Sequence, residues 1–539
     1  MTGLLPLLRQ RARRDGVQLA LWTVGTVALA GVGFTGVQGS YGDEQERTAL
    51  LATVMANPVI LLFRGLPSGA GESQMVVFLL LPWLLILAAM MSSFLAVRHT
   101  RGDEEDGRLE LLSATPAARW TPTVATVIHG AFANIVLGAL VTAAFLANGA
   151  AAPGSVLVGA SCTLVGLVFL GVGLVAAQLM ATSRGANSLS MWILLGTFVL
   201  AGIGNALGTP SDDLTRLQSS WVTWLSPFGW AENTRAFDED AAAPIALLGV
   251  VAMALVAAAF ALQSRRDLGG SFVAERAGRA HARAALSTHL ALVTRLAAPS
   301  VVGWIIGGLL VGALATALGS VVSDMGSENA AVADVLDKLS GSGDLQTGAV
   351  VVFFLLLGIL AACAGVQTVA RARQDEARGT AEIVLATPIA RVRWLGDYVT
   401  VALAAVVLTI LGGIAGAALG AVSAPDGGAL ARDALIAGAG QLLPAAVFVG
   451  LTALVFVVAP RLTIALGWIF VMLAAMIGLF GPLFGMDESA ARLSPFASAL
   501  APTPDGVDMG GFWWILAASV VLAALPLGLM RRRELAMGG

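Results

Sequence analysis

The chain has 539 residues, 57% hydrophobic and 12% charged, with a formal net charge of −3 and a mean hydropathy of +0.84. A soluble domain carries roughly 25% charged residues, so a water-soluble globular class is excluded. The apolar residues come in runs of about 20, the length at which a helix crosses a hydrocarbon core of roughly 30 Å.

In chain order, twelve spans are predicted. They are 17–37, 75–97, 122–146, 156–180, 187–207 and 243–262, then 300–322, 349–370, 396–421, 434–458, 462–483 and 512–530. The run after Arg9, Arg11, Arg13 and Arg14 is read as an uncleaved first span, because Arg295 before the seventh span repeats the layout mid-chain. With the N-terminus placed inside, 24 of the 31 arginine and lysine residues fall on that side, as the positive-inside rule requires. Both termini are therefore expected in the cytoplasm of a plasma-membrane protein. The fold class is an all-α polytopic membrane protein of twelve transmembrane helices, arranged as two parallel six-helix repeats. The expected division is 1–262 for the first half, 263–299 for a connecting segment and 300–539 for the second half. Arg276, Arg279 and Arg283 predict an amphipathic helix in the connector. Cys162 and Cys363 lie inside apolar runs and read as packing residues, without metal-ligand spacing.

Two echoes carry the case for duplication. RGDEEDGRLELLSATPAAR (101–119) and RQDEARGTAEIVLATPIAR (373–391) share ten of nineteen residues, and each follows the second span of its half. Leu-Ser-Pro-Phe occurs at 225–228 and at 493–496, each time before a last span. In the longer echo, Gly107 and Gly379 are expected to break the incoming helix. Glu110 and Glu382 then sit in the first turn of a new short helix, where a carboxylate suits the helix dipole. Pro116 and Pro388 end it. Leu109, Leu112, Ile383 and Val384 supply an apolar edge. A capped turn with solvated charges is the plainer alternative for either copy alone.

The pattern Glu376, Gly379-Thr380, Glu382, Thr387-Pro388 and Arg391 resembles the coupling-helix segment of ABC-2-type transporter membrane subunits. The first copy supplies Glu104, Gly107, Glu110, Thr115-Pro116 and Arg119, and departs at Arg108, where threonine is usual. The whole layout is similar to the fused twelve-span actinobacterial exporters of tetronasin-type polyketide antibiotics. That resemblance implies an export permease for an apolar or amphipathic small molecule. It also implies that these residues dock two copies of a cytoplasmic ABC ATPase. ATP and magnesium would be bound by that partner, with no cofactor in this chain. Lipid and the transported molecule complete the expected partners, and no nucleic acid is expected. In such subunits, spans two and five line the pathway, which points to Met91, Phe94, Trp192, Phe198, Asn205, Phe354, Gln367, Trp468 and Met472. Ordinary helix packing is the competing reading of each. The Leu-Ser-Pro-Phe segments are expected to be short re-entrant or interfacial helices, or part of an aromatic belt.

No stretch matches GxxxxGK[ST], and the only lysine is Lys338, so this chain is not expected to be the ATPase. The alternative is an ion-coupled secondary transporter with a 6+6 repeat. That mechanism usually relies on an ionisable group inside the membrane to carry the coupling proton, whereas sodium coupling through neutral oxygens needs none. By the predicted boundaries every Asp, Glu, Arg and Lys lies in a loop or near a span end, and His129, the one titratable side chain well inside a span, reads as a packing residue.

Overall fold

The computed structural model describes residues 3–56, 61, 64–273, 286–317, 345–422, 427–480, 492–503 and 506–534. Twelve helical segments are long and apolar enough to cross a membrane, and they fall on the twelve predicted spans. The predicted amphipathic connector around Arg276, Arg279 and Arg283 lies outside the described residues.

The first half contains α1 (Leu4–Ser40), α2 (Glu44–Ala56), α3 (Glu72–Val97), α4 (Arg108–Ser113), α5 (Thr121–Ala147), α6 (Ala152–Leu179), α7 (Ser183–Ala206), α8 (Pro227–Glu232) and α9 (Ala243–Ser264). The second contains α10 (His289–Ala317), α11 (Leu345–Ala377), α12 (Thr380–Leu385), α13 (Arg391–Ala421), α14 (Gly427–Gly440), α15 (Leu442–Val458), α16 (Thr463–Phe480) and α17 (Phe512–Met530). Two short antiparallel ribbons, 209–210 with 217–218 and 501–503 with 506–508, are the strands among the described residues. The chain separates into two compact units, Met1–Gly278 and Arg279–Gly539.

Several helices outrun their apolar stretches. The first was expected from 17 and begins at Leu4; the seventh was expected from 300 and begins at His289. The reason is visible at both places, because polar residues in the extra turns are paired with the bundle. Arg11 donates to Thr126 Oγ1 at 2.8 Å, and His289 Nδ1 meets Asp397 Oδ2 at 2.7 Å. Hydropathy alone does not register a polar turn that is paired inside the protein.

In each half the second and fourth spans form the centre. Windows of α3 and α6 are 61% buried, and those of α11 and of α14 with α15 are 67% buried, against 17% for α1 and α10 and 11% for α17. Small residues let the backbones approach. Gly312 and Gly416 face the α10–α13 crossing so closely that an added Cβ would lie 1.8 Å from Gly413 O and 1.9 Å from Leu309 O. Gly312→Val is therefore expected to abolish the folded second half, while Gly303→Val, on the same helix with nothing within 4 Å, leaves yield and melting temperature unchanged. Size-exclusion profiles of the two variants check this.

Candidate functional site: two clasped levers

The repeated segment builds the same object twice. Gly107 (φ +70°) and Gly379 (φ +76°) adopt the left-handed conformation that only glycine takes without strain, and each turns the chain into a six-residue helix, α4 or α12. Glu110 and Glu382 occupy the first turns. Thr115 Oγ1 donates to Leu112 O at 2.6 Å and Thr387 Oγ1 to Val384 O at 2.5 Å, so each threonine satisfies an end carbonyl before the proline stops the helix. The departure at Arg108 is accommodated: Arg108 Nη1 donates to Asp103 Oδ1 at 2.8 Å, and Thr380 Oγ1 donates to the equivalent Asp375 Oδ1 at 3.3 Å.

The repeated acids and arginines close a clasp. Glu104 is held by Arg101 at 3.1 Å and by Arg266, just beyond α9, at 2.8 Å. Glu376 is held by Arg373 at 3.3 Å and by Arg533, just beyond α17, at 2.7 Å. Arg119 Nη2 donates to Gln263 O at 3.0 Å and also to Arg266 O, and Arg391 Nη1 donates to Arg533 O at 2.6 Å. Arg533 also stacks on Phe456 at 4.3 Å. In both halves the segment after span two is thus tied to the tail after the last span.

The side chains of Glu104 and Glu376 are 6% and 1% exposed and point inward, where they brace the lever. Ile383, expected on the packed edge, is 73% exposed, and Leu111 at the equivalent position is also 73% exposed. The inner edge is Leu109 and Leu112 in one copy, Ala381 and Val384 in the other. Arg108, Glu110, Thr115, Pro116, Thr380, Glu382, Thr387 and Pro388 are exposed residues of the same two segments.

The copies differ beneath the lever. Under α12, Ala381 and Val384 pack with Trp394 and Met530. Under α4, a cavity of about 300 Å³ remains, lined by Leu109, Leu112, Glu104, Arg119, Gln178 and Arg266. Before α4 the helix makes a π turn at Arg98–Gly102, which turns His99 and Arg101 into the protein; α11 is regular there and carries Arg371 in place of His99.

Sequence reasoning missed the group that His99 joins. Asp15 Oδ2 contacts His99 Nε2 and lies 3.2 Å from His129 Nε2, and all three side chains are buried. Asp15 lies two residues before the predicted first span, within the same long helix, and His129, read from the sequence as a packing residue, has it as an acidic partner. One oxygen and two imidazole nitrogens within 4.8 Å are donor types that suit a borderline divalent cation. The surroundings oppose one. Arg98 lies 3.2 Å from Asp15, Arg11 donates to His99 O at 3.2 Å, and the neighbouring Asp103 is already shared by Arg14 and Arg108. The group reads as an ion-pair hub tying α1, α3 and α5 to the lever. No sequence pattern joins positions 15, 99 and 129.

The expected pathway residues divide. Met91, Phe198, Asn205 and Phe354 are buried within their own halves: Phe198 packs on Phe228, and Asn205 binds Glu232. Phe94 packs against Trp22 with the rings tilted by 48°, Gln367 accepts from Trp304 Nε1 at 2.7 Å, and Trp468 is half-buried. Trp192 (69%) and Met472 (56%) are exposed. The Leu-Ser-Pro-Phe echo is a second clasp. Ser226 Oγ donates to Thr197 O at 2.6 Å and Ser494 Oγ to Ala474 O at 2.8 Å, each on the fifth span of its half, and Phe228 and Phe496 are buried. The first copy leads into a short helix, α8; the second is a run of turns.

Twelve helices long and apolar enough to cross a membrane define a polytopic, all-α membrane protein. The chain belongs to the family described as multidrug efflux system permease Rv1217c, C-terminal domain, which matches residues 10–262 and 286–531. A relative, the multidrug efflux system permease protein Rv1217c of Mycobacterium tuberculosis (strain ATCC 25618 / H37Rv), is 32% identical over 546 residues, covering 99% of this chain and 95% of the relative.

The clasp geometry predicts an asymmetry within one motif. Glu376→Ala leaves Arg373 and Arg533 buried without their carboxylate and should cost about 3 kcal/mol, whereas Glu382→Ala on the exposed face should cost less than about 0.5 kcal/mol. Denaturation of the two purified variants measures the difference.

Proposed function

We propose that the chain is the membrane-spanning permease of an ATP-driven ABC exporter, moving an apolar or amphipathic drug-like molecule out of the cell. In this reading α4 and α12 are coupling helices on the cytoplasmic side, with both termini on that side. Each docks on one copy of a separate ATPase subunit, which supplies ATP and magnesium. The observation that carries the reading is the pair of apolar knobs, Leu111 and Ile383. They are equivalent in the repeat, equally exposed, and mounted on helices too short to stand alone in water. A helix of six residues keeps its shape only when braced, and both are braced to the last span by buried ion pairs. A push on the knob is then delivered to spans two and six together. The multidrug efflux family and the relative's name support export of varied apolar compounds, and a polyketide antibiotic is one such class.

The ion-coupled alternative gains from one finding, the buried Asp15 among His99 and His129. The two readings separate cleanly. Leu111→Glu with Ile383→Glu should abolish co-purification with the ATPase and lower drug efflux by more than about tenfold, the effect of losing ~1.4 kcal/mol or more of docking energy, without changing the elution profile. Unchanged efflux from that double variant would exclude docking at these helices. Uphill flux without nucleotide would establish ion coupling instead.

A further inference from the structure

The levers and the hub leave one buried acid unused. Glu232 ends α8, is 5% exposed, and has a single side-chain partner among the described residues: Asn205 Nδ2, at 2.7 Å, donates to its Oε2. Asn205 is itself fully buried on α7, and its Oδ1 has no partner among the described residues. No guanidinium or imidazole pairs with Glu232 among the described residues. The elements packed on α8 bring almost no charge. α6 contributes only the Cys162 thiol, α9 and the turn Trp221–Leu225 contribute none, and the charges of α7 and α3 are Arg184 and Glu72 in their first turns. The charged side chains just after α8 are spoken for. Arg235 donates to Leu217 O at 3.0 Å and lies 3.6 Å from Glu239, Arg216 holds Asp238 at 2.6 Å, and Asp240 Oδ1 accepts from Phe237 N at 2.8 Å.

An ionised carboxylate in such a place is costly, because one amide N–H replaces little of its lost hydration. Burial pushes the Glu232 carboxyl up to about 8, and the Asn205 hydrogen bond opposes this only in part. A neutral acid resolves the bookkeeping of donors. Its O–H adds one donor to a site whose amide oxygen has none, while Asn205 Nδ2 keeps its bond to Oε2. Removing the proton takes that donor away.

We propose that Glu232 and Asn205 form a proton-binding site, and that the bound proton latches α8 onto the α7 span. The site lies in the segment tied down by the Ser226 clasp, so its release frees the linker between the fifth and sixth spans of the first half. A latch of this kind is compatible with either energy source.

The sign of the pH dependence follows from linkage. The folded-state value lies above the unfolded carboxyl value of 4.5, so the native form holds a proton that the unfolded chain has lost. Stability from this site is greatest at low pH, falls as pH rises from about 4.5 to about 8, and is flat beyond. The test uses the full chain in lipid nanodiscs, comparing wild type with Glu232→Gln, a permanently neutral twin. The melting-temperature advantage of Glu232→Gln should widen by about 2 °C or more between pH 5 and pH 8 and stay level to pH 9. A gap independent of pH would overturn the proposal. Wild type alone gives a second readout. A hydrophobic carbodiimide, which reacts with buried protonated carboxyls, should label Glu232 at pH 6 and not at pH 9.5, read by peptide mass spectrometry. No adduct at pH 6, or equal labelling at both, would equally overturn it.

Discussion

A carboxylate buried between two guanidinium groups fixes the architecture at one end of each half. Glu104 and Glu376 each leave water, and each is repaid by one arginine from its own turn and one from the tail after the last span. Such an arrangement adds little stability over a packed apolar alternative, but it is costly to break and it is directional. A hydrocarbon contact would let the short helix slide. A buried ion pair with backbone bonds from Arg119 or Arg391 sets one position. That is why a six-residue helix, unstable by itself, can act as a solid lever.

The clasps also explain the repetition. Seven of the shared identities, Arg101, Asp103, Glu104, Gly107, Thr115, Pro116 and Arg119 with their partners 272 residues on, have an internal structural job. Duplication drew attention to the right segment, and its local structure was legible from glycine, glutamate and proline placement. Which residues face outward was not. The strongest identities hold the lever from behind, while the outward knob varies from Leu111 to Ile383 and keeps only its apolar character. The spans were legible from hydropathy because lipid demands apolar length. Their ends were not, since polar turns such as those carrying Arg11 and His289 are paired inside the protein. Asp15 fell just outside the predicted first span for the same reason. Glu232 was hidden in a tryptophan-rich linker, and its burial depends on Asn205, 27 residues away.

The halves share this plan without being interchangeable. The first half has the π turn, the Asp15–His99–His129 hub and a cavity beneath its lever. The second half fills the corresponding space with Trp394, Met530 and the stacked Arg533. The first lever therefore rests on polar and vacant ground, the second on a packed core. Membership of a multidrug efflux permease family covers both halves, so the asymmetry belongs to the whole fused chain and is not confined to an added segment.

A double-mutant cycle on Glu376→Gln and Arg533→Met, read by denaturation of the full chain, tests the clasp most directly. If the pair joins lever to tail, each single change is costly and the double change costs about 1 kcal/mol or more less than their sum. Additivity within about 0.5 kcal/mol would show two independent residues and contradict the account.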